Sequence, residues 1–338
     1  MFTDMKNFDS AFYYYKKGLE INPDNSIVLN NLGLAYYSTD KLDSASQYFQ
    51  KVMRVSPENP YAANNLGLVF HKMKKLDSAL AYYFKAMDLK KDLVSAQYNV
   101  GRLMYEKQDY NTAKYYFRNL VEAHPENAQA LSSLELVFKQ TNEPDSAIYY
   151  YSKSLKKGVS GTFLFNNLGR LYFNSEQFDS AAKWYNSAIQ FDPKNPVGFY
   201  NLGTVFANLQ HLDSAISMYK KSLALDPAYF TANLNLGVAY HDQKQYDSAI
   251  VYIKKAILIN PKDNVPYYYL AQSYAKNNKP QDALRYLEQA LERGYNLYEY
   301  IIVESDLDNI RKYPAYKAMM KKYFPKKYKP EDDDTPNP

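Results

Sequence analysis

The chain has 338 residues, no cysteine, 37 tyrosines against one tryptophan, and a formal net charge of +5. Without thiols there is no disulfide, zinc–thiolate site or cysteine nucleophile, no apolar run approaches the roughly 18 residues that span a bilayer, and Met1–Lys6 lacks the layout of a secretory leader. The charge is local: residues 311–329 hold eight Lys/Arg and no acid, residues 331–334 hold four acids, and residues 1–310 set 33 basic against 32 acidic side chains. Most of the chain therefore offers no basic stripe for nucleic acid.

From the N-terminus onward the elements repeat. Residues 1–25 hold an incomplete first unit, its second helix only, which opens at Asp9-Ser10-Ala11. The triplet returns as Asp43-Ser44-Ala45, Asp77-Ser78-Ala79, Asp145-Ser146-Ala147, Asp179-Ser180-Ala181, Asp213-Ser214-Ala215 and Asp247-Ser248-Ala249, with the alanines in a register of 34. Asn111-Thr112-Ala113 fills the gap in the series and Gln281-Asp282-Ala283 closes it. In phase with it run Gly33, Gly67, Gly101, Gly169, Gly203 and Gly237, and Pro23, Pro57, Pro125, Pro193, Pro227 and Pro261 close most units. Eight full units follow: 26–59, 60–93, 94–127, 128–161, 162–195, 196–229, 230–263 and 264–297.

Each unit reads as two helices. The first carries apolar residues at unit positions 4, 7 and 11, the stripe of an amphipathic helix. The Asp of Asp-Ser-Ala is expected as N-cap of the second helix. Lys17, Lys51, Lys85, Lys153, Lys221 and Lys255 stand late in it, where a cation suits the negative helix end. Glycine and alanine mark the closest approach of the two helices, and proline stops the pair. No pair buries its face alone, so neighbours must stack.

The pattern weakens once. In 128–161, Glu135 replaces the glycine, Ser133 an otherwise recurring asparagine, and Val159 the proline. Lys156-Lys157-Gly158-Val159-Ser160-Gly161 then reads either as a loosened joint or as drift in a tolerant repeat. After the last unit, Tyr316, Met319, Met320, Tyr323 and Phe324 make one apolar stripe behind Pro314. Capping helices are expected over 298–324 and a disordered tail over 325–338.

This arrangement of small residue, aromatic, alanine and proline in 34 positions resembles the tetratricopeptide repeat. The resemblance implies an all-α fold, a right-handed superhelical α-solenoid of stacked antiparallel helix pairs. Ser305–Arg311 followed by Pro314-Ala315-Tyr316 resembles the closing module of bacterial members of the family.

Catalysis finds little support in the sequence. There is no G-x-S-x-G elbow, phosphate-binding loop or H-E-x-x-H. His71 and His241 share unit position 12 but lie five repeats apart, and the four histidines read as solvent-facing. No metal or cofactor is expected. The resemblance implies that the first helices line a concave groove. On that face stand Asn31, Asn65, Asn99, Asn167, Asn201 and Asn235, with Tyr61, Phe163, Arg102 and Arg170, and with Tyr98 and Tyr200 at its edge. A carboxamide can pair with both the N–H and the C=O of any peptide. Stacked helices lie roughly 10 Å apart and an extended chain advances about 3.3 Å per residue, so one asparagine would meet about every third residue. Ser133 would divide the row into two halves.

The functional expectation is a non-enzymatic scaffold that holds an extended polypeptide or partner protein in this groove. The alternative is the substrate-presenting arm of a larger enzyme, such as a glycosyltransferase. Nucleic acid is not an expected partner, and a membrane surface is one only through Lys321, Lys322, Lys326 and Lys327 of the C-terminal basic cluster. A soluble chain is expected, cytoplasmic rather than periplasmic, with the compartment left open because a cut start would remove any leader.

Overall fold

The computed structural model describes residues 8–329. They divide into two compact units, residues 1–159 and 160–338. The first unit holds α1 (Phe8–Ile21) and four helix pairs: α2 (Ser26–Ser38) with α3 (Leu42–Val55), α4 (Pro60–Lys72) with α5 (Leu76–Leu89), α6 (Val94–Glu106) with α7 (Tyr110–Ala123), and α8 (Ala128–Gln140) with α9 (Pro144–Lys156). The second unit repeats the scheme with α10 (Thr162–Asn174) and α11 (Phe178–Phe191), α12 (Pro196–Asn208) and α13 (Leu212–Leu225), α14 (Phe230–Asp242) and α15 (Tyr246–Ile259), and α16 (Val265–Lys276) and α17 (Pro280–Glu292). It ends in α18 (Tyr298–Val303), a 3-10 turn (Ser305–Leu307), α19 (Asp308–Arg311) and α20 (Pro314–Tyr323). No strand occurs among the described residues.

Helix pairs form because of position 8. A Cβ built on Gly67 would lie 2.6 Å from the Tyr83 ring, and one on Gly169 would lie 2.5 Å from the Tyr185 ring. The absent side chain lets the second helix press an aromatic ring against the first. Glu135 breaks this rule and answers with a hydrogen bond, accepting from the Tyr151 hydroxyl at 2.9 Å. The α8/α9 pair packs the most sparsely of the eight.

The turn inside each pair corrects the expected cap. Asp40, Lys74, Gln108, Asn142, Glu176, Gln210, Lys244 and Asn278, all at position 15, take left-handed backbone with φ from 53 to 63°. Around each the chain makes the same two bonds, such as Lys41 N–H to the Tyr36 carbonyl at 2.9 Å and Asp40 N–H to the Tyr37 carbonyl at 3.2 Å. This is the Schellman ending, here built without glycine. It starts the second helix at position 17, so Asp43, Asp77, Asp145, Asp179, Asp213 and Asp247 fall inside the first turn and cap nothing. Their charge still suits the positive helix end. Several also reach the next repeat, as Asp77 to Lys107 at 3.2 Å and Asp247 to Asn277 at 2.8 Å. Side-chain caps sit mostly at the first helices, where Asn25, Asn59, Asn127 and Asn195 each accept from the first-turn backbone. Among the second helices Asp109 caps α7, accepting from the Thr112 N–H at 3.1 Å.

At the C-terminal end, Leu307, Ile310, Tyr316, Met319 and Met320 are buried in one cluster with Leu287, Ala290 and Leu291 of α17. Arg311 leaves the expected basic cluster: it is buried and donates to Asp308 and to the carbonyls of Ile301 and Glu304. Lys322 pairs with Glu288 and Lys327 with Glu299. Of the tail expected over 325–338, residues 325–329 are described, and Tyr328 packs against the same core cluster. Residues 330–338 lie outside the described part.

Candidate protein-binding surface

The first-helix faces carry a hydrogen-bond row that the sequence reading missed. Asn65 Nδ2 donates to Asn30 Oδ1 at 3.0 Å, Asn99 to Asn64 at 2.9 Å, and Asn201 to Asn166 at 3.2 Å. Asn235 donates to the Tyr200 hydroxyl at 3.2 Å, and the Tyr98 hydroxyl pairs with Ser133 at 3.1 Å. Every partner lies 35 residues away. Position 6 of one repeat is thus tied to position 5 of the repeat before it. The signal was present as the doublets Asn30-Asn31, Asn64-Asn65 and Asn166-Asn167.

The ladder fixes the carboxamides of Asn65, Asn99, Asn201 and Asn235 and spends one N–H group of each on the neighbouring repeat. Asn99 is only 6% exposed, so it holds repeats together more than it faces solvent. Asn31, Asn65, Asn201 and Asn235 are half-buried. Asn167 bonds locally, donating to the Phe163 carbonyl at 2.8 Å and accepting from Arg170 at 2.9 Å. Phe163 and Arg170 are exposed, while Tyr200 packs between Tyr219 and Tyr229 at 5.9 and 5.1 Å.

In the first unit the face opens into a groove of about 620 Å³. Tyr61, Tyr98, Asn99 and Arg102 line it together with Leu68, Lys90 and Asp92. Its floor is polar. Arg102 donates to His71 Nδ1 at 3.1 Å, and His71 Nε2 lies 2.7 Å from Glu106. A guanidinium only donates, so Nδ1 accepts and the Nε2 proton goes to the carboxylate. Beneath them burial pushes the Tyr83 phenol up, opposed in part by the Arg102 charge. His71 and His241 are therefore not solvent-facing as expected: His71 is buried, and His241 is half-buried against Asp306 at 2.8 Å and Ser273 at 3.0 Å. For His71 the stacking register explains the miss, because position 12 of its repeat meets position 13 of the next, again 35 residues on. His241 is covered by Ser273 of the next repeat and by Asp306 of the C-terminal turn. His211 is exposed and His124 is half-buried. No three His, Cys, Asp or Glu side chains group to hold a metal among the described residues, and no helix among them is long and apolar enough to cross a membrane.

Paired helices of near-constant length, a glycine–ring contact in five of the eight pairs and a register of 34 define a helix-pair repeat protein. Tetratricopeptide-repeat models match residues 2–66, 60–93 and 95–127. The model of the middle TPR-like domain of cilia and flagella-associated protein 70 matches residues 166–293. The chain belongs to the tetratricopeptide-repeat family. Among solved structures, the chain is similar to the APC/C hetero-tetramer Cut9–Hcn1, with 18% identity, a TM-score of 0.50, and coverage of 95% of this chain but 60% of that one. MamA matches at 24% identity and a TM-score of 0.43, covering 46% of this chain and 91% of that one. These likenesses concern the fold. No curated protein matches the chain. Repeats of this kind support a protein-interaction scaffold in general.

Proposed function

We propose that the chain holds extended partner polypeptides against the first-helix faces of its repeats, with one such surface in each unit. The groove over Tyr61, Tyr98, Asn99 and Arg102 carries this reading, because it joins an exposed aromatic ring, a fixed carboxamide and a guanidinium in one open channel. Ladder bonds orient the asparagines and leave a carbonyl oxygen and a second N–H for a peptide backbone. Each such bond contributes about 0.5–1.5 kcal/mol net, so affinity comes from the series and selectivity from the rings. Within a unit the row takes two repeat steps, on the order of 20 Å, or about six extended residues.

A random peptide library displayed on phage and selected against the full chain tests this. Selected peptides are expected to lose affinity at least tenfold, about 1.4 kcal/mol, on Tyr61→Ala with Arg102→Gln, or on Asn167→Ala with Asn201→Ala and Asn235→Ala. Helical circular dichroism should stay unchanged. Failure to select any peptide, or undiminished affinity in both variants, rules the reading out.

A further inference from the structure

A cavity of about 240 Å³ lies where α13, α14 and α15 meet. Lys220, Leu223 and Ala224 of α13, Asn233 of α14, and Tyr252 and Lys255 of α15 line it. None of the groove residues of the first unit takes part, and no acidic side chain does.

The cavity originates at unit position 4. Leu29, Leu131 and Tyr267 fill that position in other repeats, all of them buried. Here the shorter Asn233, 1% exposed, folds back and donates from Nδ2 to the Pro227 and Tyr229 carbonyls at 3.0 and 3.1 Å. With Nδ2 committed, Oδ1 is its remaining polar atom, and it accepts no bond among the described residues. In the following repeat the Tyr267 hydroxyl donates to the Pro261 carbonyl at 3.2 Å, and Arg293 lies over the Tyr267 ring at 4.1 Å. Those two side chains cover there what Asn233 leaves open.

Lys255 also lacks the anions that its counterparts have. At the same unit position, Lys51 donates to the Pro23 carbonyl at 2.7 Å and lies 3.4 Å from Asp24, and Lys153 pairs with Glu122. At Lys255 the proline carbonyl is taken by Asn233. Ala228 stands where Asp24 stands, and Ala224 where Glu122 stands. The Lys255 ammonium rests over the Tyr252 ring at 4.6 Å, and that of Lys220 over the Tyr240 ring at 5.4 Å. Neither lysine makes an ion pair among the described residues.

We propose that this cavity binds an acidic side chain, an aspartate or glutamate, of a partner polypeptide. Its carboxylate supplies the anion that Lys220 and Lys255 lack, and its methylene stem lies against Leu223, Ala224 and the Tyr252 ring. A peptide N–H beside it meets Asn233 Oδ1. A phosphate monoester fits less well. Largely ionised at neutral pH, it offers acceptors to the lysines but no donor to Asn233. The site goes beyond the first-helix surfaces and shares with them only the polypeptide nature of its partner.

The test is fluorescence anisotropy of the full chain with a labelled dodecapeptide of alternating glycine and glutamate, at physiological ionic strength. A neutral counterpart with glutamine serves as comparison. The glutamate peptide is expected to bind at least fivefold tighter than the glutamine peptide. Lys220→Gln with Lys255→Gln should remove that preference. Lys321→Gln with Lys326→Gln, which takes the same charge from the C-terminal basic cluster, should leave it unchanged. Asn233→Leu removes no charge and installs the residue found at Leu29 and Leu131. It should weaken binding at least fivefold without lowering the melting temperature, because it fills the cavity and frees the Pro227 carbonyl for Lys255. Equal binding of the glutamine peptide, undiminished binding by Asn233→Leu or by the Lys220/Lys255 variant, an equal loss in the Lys321/Lys326 variant, displacement by equimolar glycerol phosphate, or no binding to the native chain each overturns the site. Peptides selected on the groove of residues 1–159 should bind Asn233→Leu as they bind the native chain, so the two readings can fail separately.

Discussion

Two glycines of this chain do opposite work, and alanine at each is expected to fail for a different reason. At Gly67 a methyl group would stand 2.6 Å from the Tyr83 ring and 3.2 Å from the Ala79 carbonyl, both fixed inside the helix pair. Overpacking of this kind costs about 1–3 kcal/mol. At Gly158 nothing lies within 4 Å, yet φ is +88°. Gly158→Ala is therefore expected to cost about 1–2 kcal/mol through backbone strain alone. Urea midpoints of the two variants check this, and a neutral Gly67→Ala would remove the close-approach account of position 8. The spacing of 34 made Gly67 legible, because a missing side chain recurs in phase with a ring sixteen residues on. The left-handed turn was not legible. Asp40, Lys74, Gln108 and Glu176 share a backbone conformation but no side-chain chemistry, because the two Schellman bonds impose it from outside. That turn displaces the helix start, and so the Asp of Asp-Ser-Ala was misplaced as a cap. The asparagines were found for the right face and given the wrong first duty, since the sequence shows a recurring residue but not the neighbour it touches.

At the scale of elements, α18–α20 are expected to protect the α16/α17 pair. Leu307, Ile310, Tyr316, Met319 and Met320 are buried against it, and the apolar stripe of α20 was readable from its spacing alone. Removing residues 305–338 is expected to expose that surface and lower solubility, whereas removing 330–338 should change neither solubility nor melting temperature. Equal behaviour of the two truncations would sink the assignment. A polar clasp holds the same elements. His241, hydrogen-bonded to Asp306, is the main cause that holds this carboxyl below the usual carboxylate range, and Lys276 assists it. A depressed carboxylate contributes stability above its unfolded value of about 4, and that contribution is lost as pH falls through the folded value beneath it. Asp306→Asn should therefore cost about 1.5–3 kcal/mol at neutral pH, the worth of a charge-assisted bond. Melting temperatures of native chain and variant should converge on acidification below about pH 4. A constant difference from pH 7 to pH 3 would contradict the clasp.

At the scale of the whole chain, the division at Val159 and Ser160 falls inside the segment that the sequence marked as irregular. Its physical origin lies in the repeat before it. Glu135 stands where six of the other seven pairs have glycine and the last has Ala271, and α8 and α9 pack sparsely. In a repeat array stability is a sum of repeat and nearest-neighbour terms, so a weak pair sets where cooperativity ends. The second unit, by contrast, closes one cluster that runs from Ala215 to Met320. The chain is therefore expected to unfold in two steps, residues 1–159 first. Its composition supplies the probe, because the single tryptophan, Trp184, lies in the second unit, stacked on Phe165 at 6.2 Å. Far-ultraviolet circular dichroism counts the helices of both units, while tryptophan fluorescence reports the second alone. In a guanidinium titration the dichroism should begin to fall before the fluorescence moves, and Glu135→Gly, which restores the close approach toward Tyr151, should draw the two curves together. Coincident curves in the native chain would show one cooperative block and refute the two-step account.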